Sequence, residues 1–227
     1  GNRMKNYEKV WVNYLPKKEW SCIRLDGKAF HTWTKGLNKP FDLNLQNWFK
    51  ETCLFLFKEV HGSKIIYTQS DEITILSNDW SKENTEQWFK GNIQKITSIS
   101  ASLTTAKFNQ LSNKEHLAFF DSRVYTLPDE IEVSNYLLWR IRDSIKNSIT
   151  LLSLEYYSTK QIENKHSGDK LEMIKEKGDD WNNLNSHSKY GLLLYRDIEN
   201  GEIKEYELNN ELNFEWIYNL IKQYERK

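Results

Sequence analysis

Residues 20–27 read Trp-Ser-Cys-Ile-Arg-Leu-Asp-Gly and predict a β-strand that ends at an Asp-Gly turn. Ile23 and Leu25 would lie on one face of this strand, and Cys22 and Arg24 on the other. The turn places the carboxyl group of Asp26 at the end of the strand.

Periodic segments on the C-terminal side of this strand predict three more strands and two helices. The predicted helices cover 43–60 and 85–108, and the predicted strands cover 64–68, 73–76 and 117–127. The resulting order, β-α-β-β-α-β, is that of the ferredoxin-like fold, so the predicted fold class is α+β. Right-handed crossovers then place the first and third strands side by side and antiparallel in the middle of the sheet.

The remaining residues predict a helical and small β region. Its predicted helices cover 134–156, 168–176 and 214–224, and its predicted strands cover 190–197 and 203–208. Residues 158–188 are polar and weakly periodic, so we expect a mobile loop there apart from the short helix. No linker is evident, and we expect residues 1–132 to form the catalytic domain, with 133–227 packed on it as an extension and not as an independent domain.

The predicted strand order brings two acidic residues together. Asp26 ends the first strand and Asp71 begins the third, so two carboxylates that are 45 residues apart in the sequence would share one edge of the sheet. Carboxylate oxygens are ligands of Mg²⁺, and two such ions about 3.5–4 Å apart can activate an attacking oxygen and stabilise a leaving one. This arrangement predicts a site for phosphoryl or nucleotidyl transfer.

Residues next to Asp26 have features of a nucleotide site. Gly27 lacks a Cβ atom, so its backbone can approach an ion or a phosphate closely. The backbone N–H groups of residues 27–31 are candidates to bind a triphosphate. Lys28, Lys39 and Lys95 are candidate countercharges for the phosphates.

Each of these features alone has a plainer interpretation. Asp26-Gly27 is most often a turn, and Ser70-Asp71-Glu72 is most often a solvated hairpin turn. His31 is more often a packed or surface histidine than a functional one. Only the joint position of the two acidic segments favours a metal site. Three residues at helical spacing predict a solvated, salt-bridged face: Arg140, Asp143 and Asn147.

The composition excludes several classes of protein. The 227 residues include 32 basic and 32 acidic residues, but residues 1–60 carry eleven bases and six acids, so a neutral chain can still present a basic face to a polyanion. Cys22 and Cys53 are too few for a disulfide scaffold, and no Cys/His cluster indicates zinc. No apolar run is long enough to span a membrane, so we expect no membrane contact and a cytoplasmic location.

Several short motifs occur in one order along nearly the whole chain. They are residues 24–31, 39–42, 67–72 and 120–124, then Trp139-Arg140 with Asp143 and Asn147, and finally 178–191 with Trp181-Asn182-Asn183 and Lys189. In this combination and order they resemble the tRNA-His guanylyltransferase family. Each motif is short, but together they are highly specific.

The resemblance implies a polymerase-type palm domain that adds nucleotides to the 5′ end of tRNA. The 5′-phosphate would first be activated by ATP or GTP, and the 3′-hydroxyl of an incoming nucleoside triphosphate would then attack the activated end. The implied Mg²⁺ ligands are Asp26, Asp71 and the carbonyl of Gly27, with Glu72 in support. The implied nucleotide-binding set is Asp26, Gly27, Lys28, Ala29, Phe30, His31, Ser70 and Asp71. Family members are typically tetrameric, so we expect a homo-oligomer.

The chain also departs from the family pattern. Members that add one guanosine to tRNA-His carry a His-Ile-Asn-Asn motif, where this chain has Ile145-Lys146-Asn147-Ser148. The missing histidine favours the related proteins that repair 5′-truncated tRNAs by template-directed 3′–5′ addition. Ser122 replaces an expected glycine and Lys28 a frequent arginine, but neither is a proposed metal ligand.

Other functions share the predicted fold. One alternative is a tRNA-His guanylyltransferase that adds a single G, and another is a nucleotide cyclase, which lacks the motif context of this chain. A third is a non-catalytic RNA-recognition module, which needs exposed aromatic residues on its first and third strands. The third strand here, Ile73–Leu76, has none.

Overall fold

The computed structural model describes residues 1–80 and 85–225, and its centre is a six-stranded antiparallel sheet in the order β4-β1-β3-β2-β5-β6. The strands are β1 (Trp20–Gly27), β2 (Ser63–Gln69), β3 (Glu72–Ser77), β4 (Phe120–Leu127), β5 (Leu192–Arg196) and β6 (Ile203–Tyr206). The longer helices are α1 (Asn2–Lys9), α3 (Leu43–Glu59), α4 (Ile93–Ser112), α5 (Glu130–Ser153), α7 (Ser167–Glu176) and α9 (Phe214–Lys222). The short helices are α2 (Phe30–Trp33), α6 (Thr159–Ile162) and α8 (Ser186–Tyr190), with 3₁₀ turns at Trp88–Gly91 and Trp181–Asn183.

The central pairing of β1 with β3 confirms the predicted α+β fold. The two strands are antiparallel, and Asp26 lies directly opposite Glu72. The N–H of Gly27 donates to the carbonyl of Asp71 at 3.1 Å, which ties the end of β1 to the residue before β3.

Helices cover both faces of the sheet. On one face α3 and α4 pack in one apolar cluster with Ile23 and Leu25 of β1 and Ile73 and Ile75 of β3. On the other face α5 packs with α7 and α9 over Trp20 and Cys22. Because the β1 and β3 faces are covered, the sheet has no open platform of the kind that RNA-recognition modules use.

Carboxylates cap two of the long helices at their N-termini. Asp42 accepts from the N–H of Leu45 at 2.9 Å, and Asp129 accepts from the N–H of Glu132 at 2.8 Å. These bonds satisfy N–H groups that have no partner inside the helix. The caps fix where α3 and α5 begin, and both helices reach the edge of the sheet that carries Asp26.

Two predicted segments differ most from the structure. The helix predicted over 85–108 begins at Ile93, because Phe89, Lys90 and Gly91 have positive φ angles and Asn92 caps the helix by accepting from Lys95 N–H at 3.0 Å. Residues 158–188, expected to be mostly a mobile loop, form α6, α7, a 3₁₀ turn and the start of α8. Short capped turns such as these have too few apolar repeats to appear in the sequence pattern.

The C-terminal part continues the sheet of the N-terminal part. β5 pairs with β2, and β6 pairs with β5. The hydroxyl of Tyr67 on β2 donates to the carbonyl of Tyr190 at 2.7 Å, inside the protein. Within the described ranges, no helix combines the length and apolar character that crossing a membrane requires.

Candidate active site

A two-residue turn between β2 and β3 positions Asp71. Gln69 pairs with Glu72, so Ser70 and Asp71 form the whole connection, and Ser70 has a φ of 51°. The hydroxyl of Ser70 donates to Oδ1 of Asp71 at 3.1 Å. Burial raises the pKa of Asp71, and the nearby charge of Asp26 raises it further, while Ser70 and His31 act in the opposite direction. Asp71 lies next to the end of β1 that carries Asp26, because Gly27 N–H donates to the Asp71 carbonyl.

Glu72 has very different surroundings from those of Asp71. It is buried, and Arg140 donates to both of its oxygens, from Nε to Oε1 and from Nη2 to Oε2, each at 2.8 Å. Arg24 approaches Oε2 at 2.7 Å. Burial raises the pKa of Glu72, and the two guanidinium groups oppose that rise. The two arginines thus hold the Glu72 carboxylate in place and balance its charge.

The same contacts correct the prediction of a solvated face on the helix after Trp139. Arg140 is 5% exposed and links α5 to β3, and it also donates to Asp143 at 3.2 Å. Asn147 donates weakly to the same Asp143 oxygen at 3.4 Å. The contacts of Arg140, supported by Asp143 and Asn147, therefore hold α5 against the sheet edge that carries Asp26 and Asp71.

The donor set at this edge fits a magnesium ion. Among the described residues, neither Asp26 nor Asp71 forms an ion pair with lysine or arginine, and no group of three acidic, histidine or cysteine side chains could hold a metal. Mg²⁺ is usually held by one or two carboxylates and takes its other ligands from water and substrate phosphates. Two carboxyls that form no ion pair with lysine or arginine supply that partial set.

A cleft of about 620 Å³ opens beside these carboxyls. It lies between the segment 29–49, the turn 69–71, the C-terminal half of α5 and residues 187–188 of α8. Seven of the predicted site residues line it: Gly27, Ala29, Phe30, His31, Lys39, Ser70 and Asp71. Asp26, Lys28 and Glu72 lie beside the cleft and not in its lining.

Only some of the backbone N–H groups of residues 27–31, which were predicted to bind a triphosphate, are free to do so. Gly27 N–H is bound to Asp71 as described, and Lys28 N–H donates to the carbonyl of Phe119 at 2.8 Å. Ala29 has a φ of 53°, and the N–H groups of residues 29–31 have no backbone partner within the described chain. The groups left for a ligand are therefore those of residues 29–31, and the first two of the predicted run are used by the sheet.

Gly27 is needed for a steric reason that the sequence did not reveal. A Cβ atom at this position would lie 2.2 Å from the ring of Phe30. Phe30 in turn packs against Phe49, Phe108 and Phe120, with ring centroids 5.3–5.9 Å apart. The glycine thus lets a core aromatic ring close under the floor of the cleft.

The structure does not bring Lys95 to the cleft. Lys95 lies in the first turn of α4, where Ile93 N–H donates to the carbonyl of Asn13 at 3.0 Å. The other end of α4 is near the site, because Asn109 donates to Ala118 at 2.8 Å just before β4, and β4 starts opposite Gly27. The helix therefore carries Lys95 away from the carboxyls.

The far wall of the cleft contains polar residues that the sequence did not single out. Gln46 donates to the hydroxyl of Ser188 at 2.8 Å, and Ser144 and Ser148 face the cleft from α5. His187 also lines it, and burial lowers the pKa of His187 to about 4. The two serines are four residues apart within an apolar stripe, which was the available signal.

Comparison with known sequences finds a matching family and several relatives. A family model described as tRNAHis guanylyltransferase matches residues 1–128. An uncharacterised protein of Acanthamoeba polyphaga mimivirus is 25% identical, over 87% of this chain and 77% of that protein. A probable tRNA(His) guanylyltransferase of Drosophila melanogaster is 28% identical, over 78% of this chain and 67% of that protein.

Solved structures are similar over almost the whole length. A bacterial tRNA(His) guanylyltransferase-like protein in complex with ATP has a TM-score of 0.87 and 36% identity, covering 97% of this chain and 98% of that one. A bacterial tRNA(His) guanylyltransferase-like protein in complex with GTP has a TM-score of 0.79 and 34% identity, with the same coverage.

Proposed function

The chain belongs to the tRNA-His guanylyltransferase family of nucleotidyltransferases, and on that premise we propose that it is a Mg²⁺-dependent 3′–5′ RNA nucleotidyltransferase that extends the 5′ end of tRNA. The observation that carries the proposal is the pair Asp26 and Asp71, which lie at one sheet edge beside a cleft of about 620 Å³ and form no ion pair with lysine or arginine among the described residues. Similar bacterial proteins bound to ATP and to GTP support a nucleotide as the occupant of the cleft.

Each site residue has a proposed role. Asp26, Asp71 and the Gly27 carbonyl hold Mg²⁺, which when bound activates the attacking oxygen and stabilises the leaving one. Glu72 keeps β3 in place through its two arginines and does not bind the ion. The nucleotide lies along Ala29, Phe30, His31, Lys39 and Ser70, with Lys28 at the rim. The free N–H groups of residues 29–31 and the charge of Lys39 hold its phosphates.

The proposed reaction has two steps. First, the 5′-phosphate of the RNA attacks the α-phosphate of ATP or GTP, which forms a 5′–5′ linkage and releases pyrophosphate. Second, the 3′-hydroxyl of an incoming nucleoside triphosphate attacks the activated 5′-phosphate, which forms a 3′–5′ bond and releases the nucleoside monophosphate. The cleft residues orient the triphosphate so that these atoms meet, which is the main source of rate in such transfers.

We further propose templated repair of 5′-truncated tRNA, because Ile145-Lys146-Asn147-Ser148 lacks the histidine of the enzymes that add one guanosine. Addition of a single G to tRNA-His is the second candidate. The test offers tRNAs that lack the 5′ nucleotide, with each of the four templating bases and each nucleoside triphosphate in turn. Incorporation that follows the template supports repair, and guanosine incorporation with every template supports the second candidate.

The metal assignment has its own test. We expect Asp26→Ala and Asp71→Ala to lower nucleotide addition by at least about 10³-fold while the circular dichroism spectrum is unchanged, because both side chains lie at the edge of the sheet. Glu163→Ala, which removes an exposed carboxylate just after α6, is the control, with wild-type addition expected. Wild-type rates in either Asp26 or Asp71 variant would contradict the assignment.

Two wider proposals accompany this function. We propose that residues 133–227 extend the catalytic domain 1–132 and do not fold alone; the pairing of β5 with β2 and the core shared between the two parts support this. We also propose a cytoplasmic tetramer, on family membership and the tRNA substrate. Light scattering should then give four times the chain mass of 27.2 kDa.

A further inference from the structure

Trp139 is a large aromatic side chain held rigidly at the protein surface. It is 54% exposed, although it belongs to the long helix α5 that covers the sheet. The guanidinium of Arg140 lies 4.6 Å from the centre of its ring, and the ring of Tyr136 meets it edge-on at 5.8 Å. Arg140 is itself fixed by its two bonds to Glu72. One face of the indole is thus supported by a fixed guanidinium, while about half of the residue remains exposed.

The position of Trp139 relates it to the carboxyl edge and not to the cleft. Arg140, which supports the ring, binds Glu72, and Glu72 lies directly opposite Asp26 on β1. Trp139 does not line the cleft, which begins further along α5 at Ser144. The indole is therefore linked through Arg140 and Glu72 to the edge that carries Asp26, and it lies outside the lining of the cleft.

Two cations share the exposed face of α5 with Trp139. Arg142 and Lys146 follow at spacings of three and seven residues, both are exposed, and neither forms an ion pair within the described part of the chain. The acidic residue between them, Asp143, is bound by Arg140. An exposed aromatic ring next to unpaired cations is the combination that binds nucleic acid strands, through base stacking and phosphate contacts.

We propose that Trp139 is a stacking platform for a base at the 5′ end of the RNA, and that Arg142 and Lys146 contact the phosphates of the same RNA. The inference rests on the proposed function, which puts the RNA 5′-phosphate at Asp26 and Asp71. It adds a surface that orients the RNA terminus independently of the nucleotide in the cleft.

The test measures binding of a tRNA that lacks its 5′ nucleotide, and of the same RNA with an abasic 5′-terminal residue. Trp139→Ala should raise the Kd of the intact RNA by about 5- to 100-fold, the range expected for one stacked base. Trp139→Phe should restore most of the affinity, whereas Trp139→Leu, which keeps apolar contact with Arg140, should not. With the abasic RNA, wild type and Trp139→Ala should bind equally.

Further measurements separate stacking from a structural defect. The Kd for ATP should be the same in wild type and Trp139→Ala, and Trp11→Ala, which removes a 72% exposed tryptophan from the N-terminal segment, should bind RNA as wild type does. Arg142→Ala and Lys146→Ala should each reduce the slope of log Kd against log salt by about one.

Distinct outcomes overturn the two proposals. An unchanged Kd for intact RNA in Trp139→Ala, or a change in the KM for the incoming nucleotide instead, overturns the stacking platform. A wild-type protein that binds RNA through Trp139 but incorporates no nucleotide overturns the proposed function and leaves the platform standing.

Discussion

Next to the site, the two sides of the central sheet are held together by different forces, although an apolar core also lies under α5. The α3/α4 side is an apolar cluster in which Phe49, Phe108 and Phe120 surround Phe30 at 5.3–5.9 Å between ring centroids. On the α5 side, near the site, charged side chains take this role, because Glu72 binds Arg24 and Arg140. The cleft opens where the two sides meet.

This difference indicates that the α3/α4 side controls the shape of the site, whereas the α5 side controls its charge. Apolar packing fixes volumes, so the α3/α4 side should respond to steric change. Buried ion pairs tolerate no loss of one partner, so the α5 side should respond to a change of charge. Asp71, between them, is the carboxyl that neither side neutralises.

The largest effect on stability is expected from Glu72→Gln. It removes the carboxylate charge beside the buried Arg140 and the partly exposed Arg24 and leaves Arg140 only its longer contact with Asp143, so the free energy of unfolding should fall by about 3–5 kcal/mol. Urea unfolding of wild type and variant measures it. The double variant Glu72→Gln with Arg140→Met should lose less than the sum of the two single changes, because it also removes one unpaired charge. A loss below about 1 kcal/mol in Glu72→Gln would show that charge does not hold this side.

A smaller effect is expected from Gly27→Ala on the apolar side. The new Cβ would lie 2.2 Å from the Phe30 ring, and overpacking of this kind costs about 1–3 kcal/mol. Urea unfolding at low and high salt should give the same loss, since the cause is steric. Combining it with Phe30→Leu should recover part of the loss. Gly36→Ala is a poor control because its φ is 85°, so Gly168→Ala, with no atom within 4 Å, is the matched one.

A comparable or smaller effect on stability is expected from protonation of His187, which lies where the two sides of the sheet meet. Its pKa is lowered to about 4 in the folded protein, so the unfolded chain takes up the proton first as the pH falls. The contribution of His187 to stability should be constant above about pH 6.5 and should decrease by about 1–3 kcal/mol between pH 6.5 and 4. His187→Gln should show a shallower decrease over that interval. Parallel curves for the two proteins would contradict the lowered pKa.

The smallest effect, here on the KM for nucleoside triphosphate, is expected from Lys95→Ala. Because α4 carries this residue away from the carboxyls, the KM for nucleoside triphosphate should stay within about twofold of wild type. Lys39→Ala, in the lining of the cleft, should raise the same KM by about tenfold, as expected for loss of a charged hydrogen bond. Equal effects of the two substitutions would mean that cations act at this site through long-range charge alone.

Topology explains why the carboxyl edge could be predicted from the sequence. The β-α-β-β-α-β order leaves β1 and β3 adjacent and antiparallel, so the proximity of Asp26 to the start of β3 follows without any knowledge of side chains. The same topology also explains why Lys95 lies far from the carboxyl edge. A helix that leads into β4 must end near Gly27, and its first turn must lie at the other end.

Burial of charge was harder to predict. Arg140, Asp143 and Asn147 have the spacing of a solvated stripe, and nothing local shows that Glu72, 68 residues away from Arg140, takes up the arginine. The pattern of the short turns between 158 and 188 also depends on local caps such as Ser158 with Gln161. Such contacts are set by tertiary packing and by single side chains, and periodicity reports neither.

The turn Ser70-Asp71 has a consequence for how this site can change over time. The connection between β2 and β3 holds two residues, and the cross-strand pair Gln69 with Glu72 closes it. Adding or removing a single residue would turn the side chains of β3 over, so that Glu72 would face the aromatic cluster and Ile73 the arginines. Insertions are therefore expected to accumulate elsewhere on the surface, while the length of this connection stays constant and the chemistry of the site varies by substitution alone.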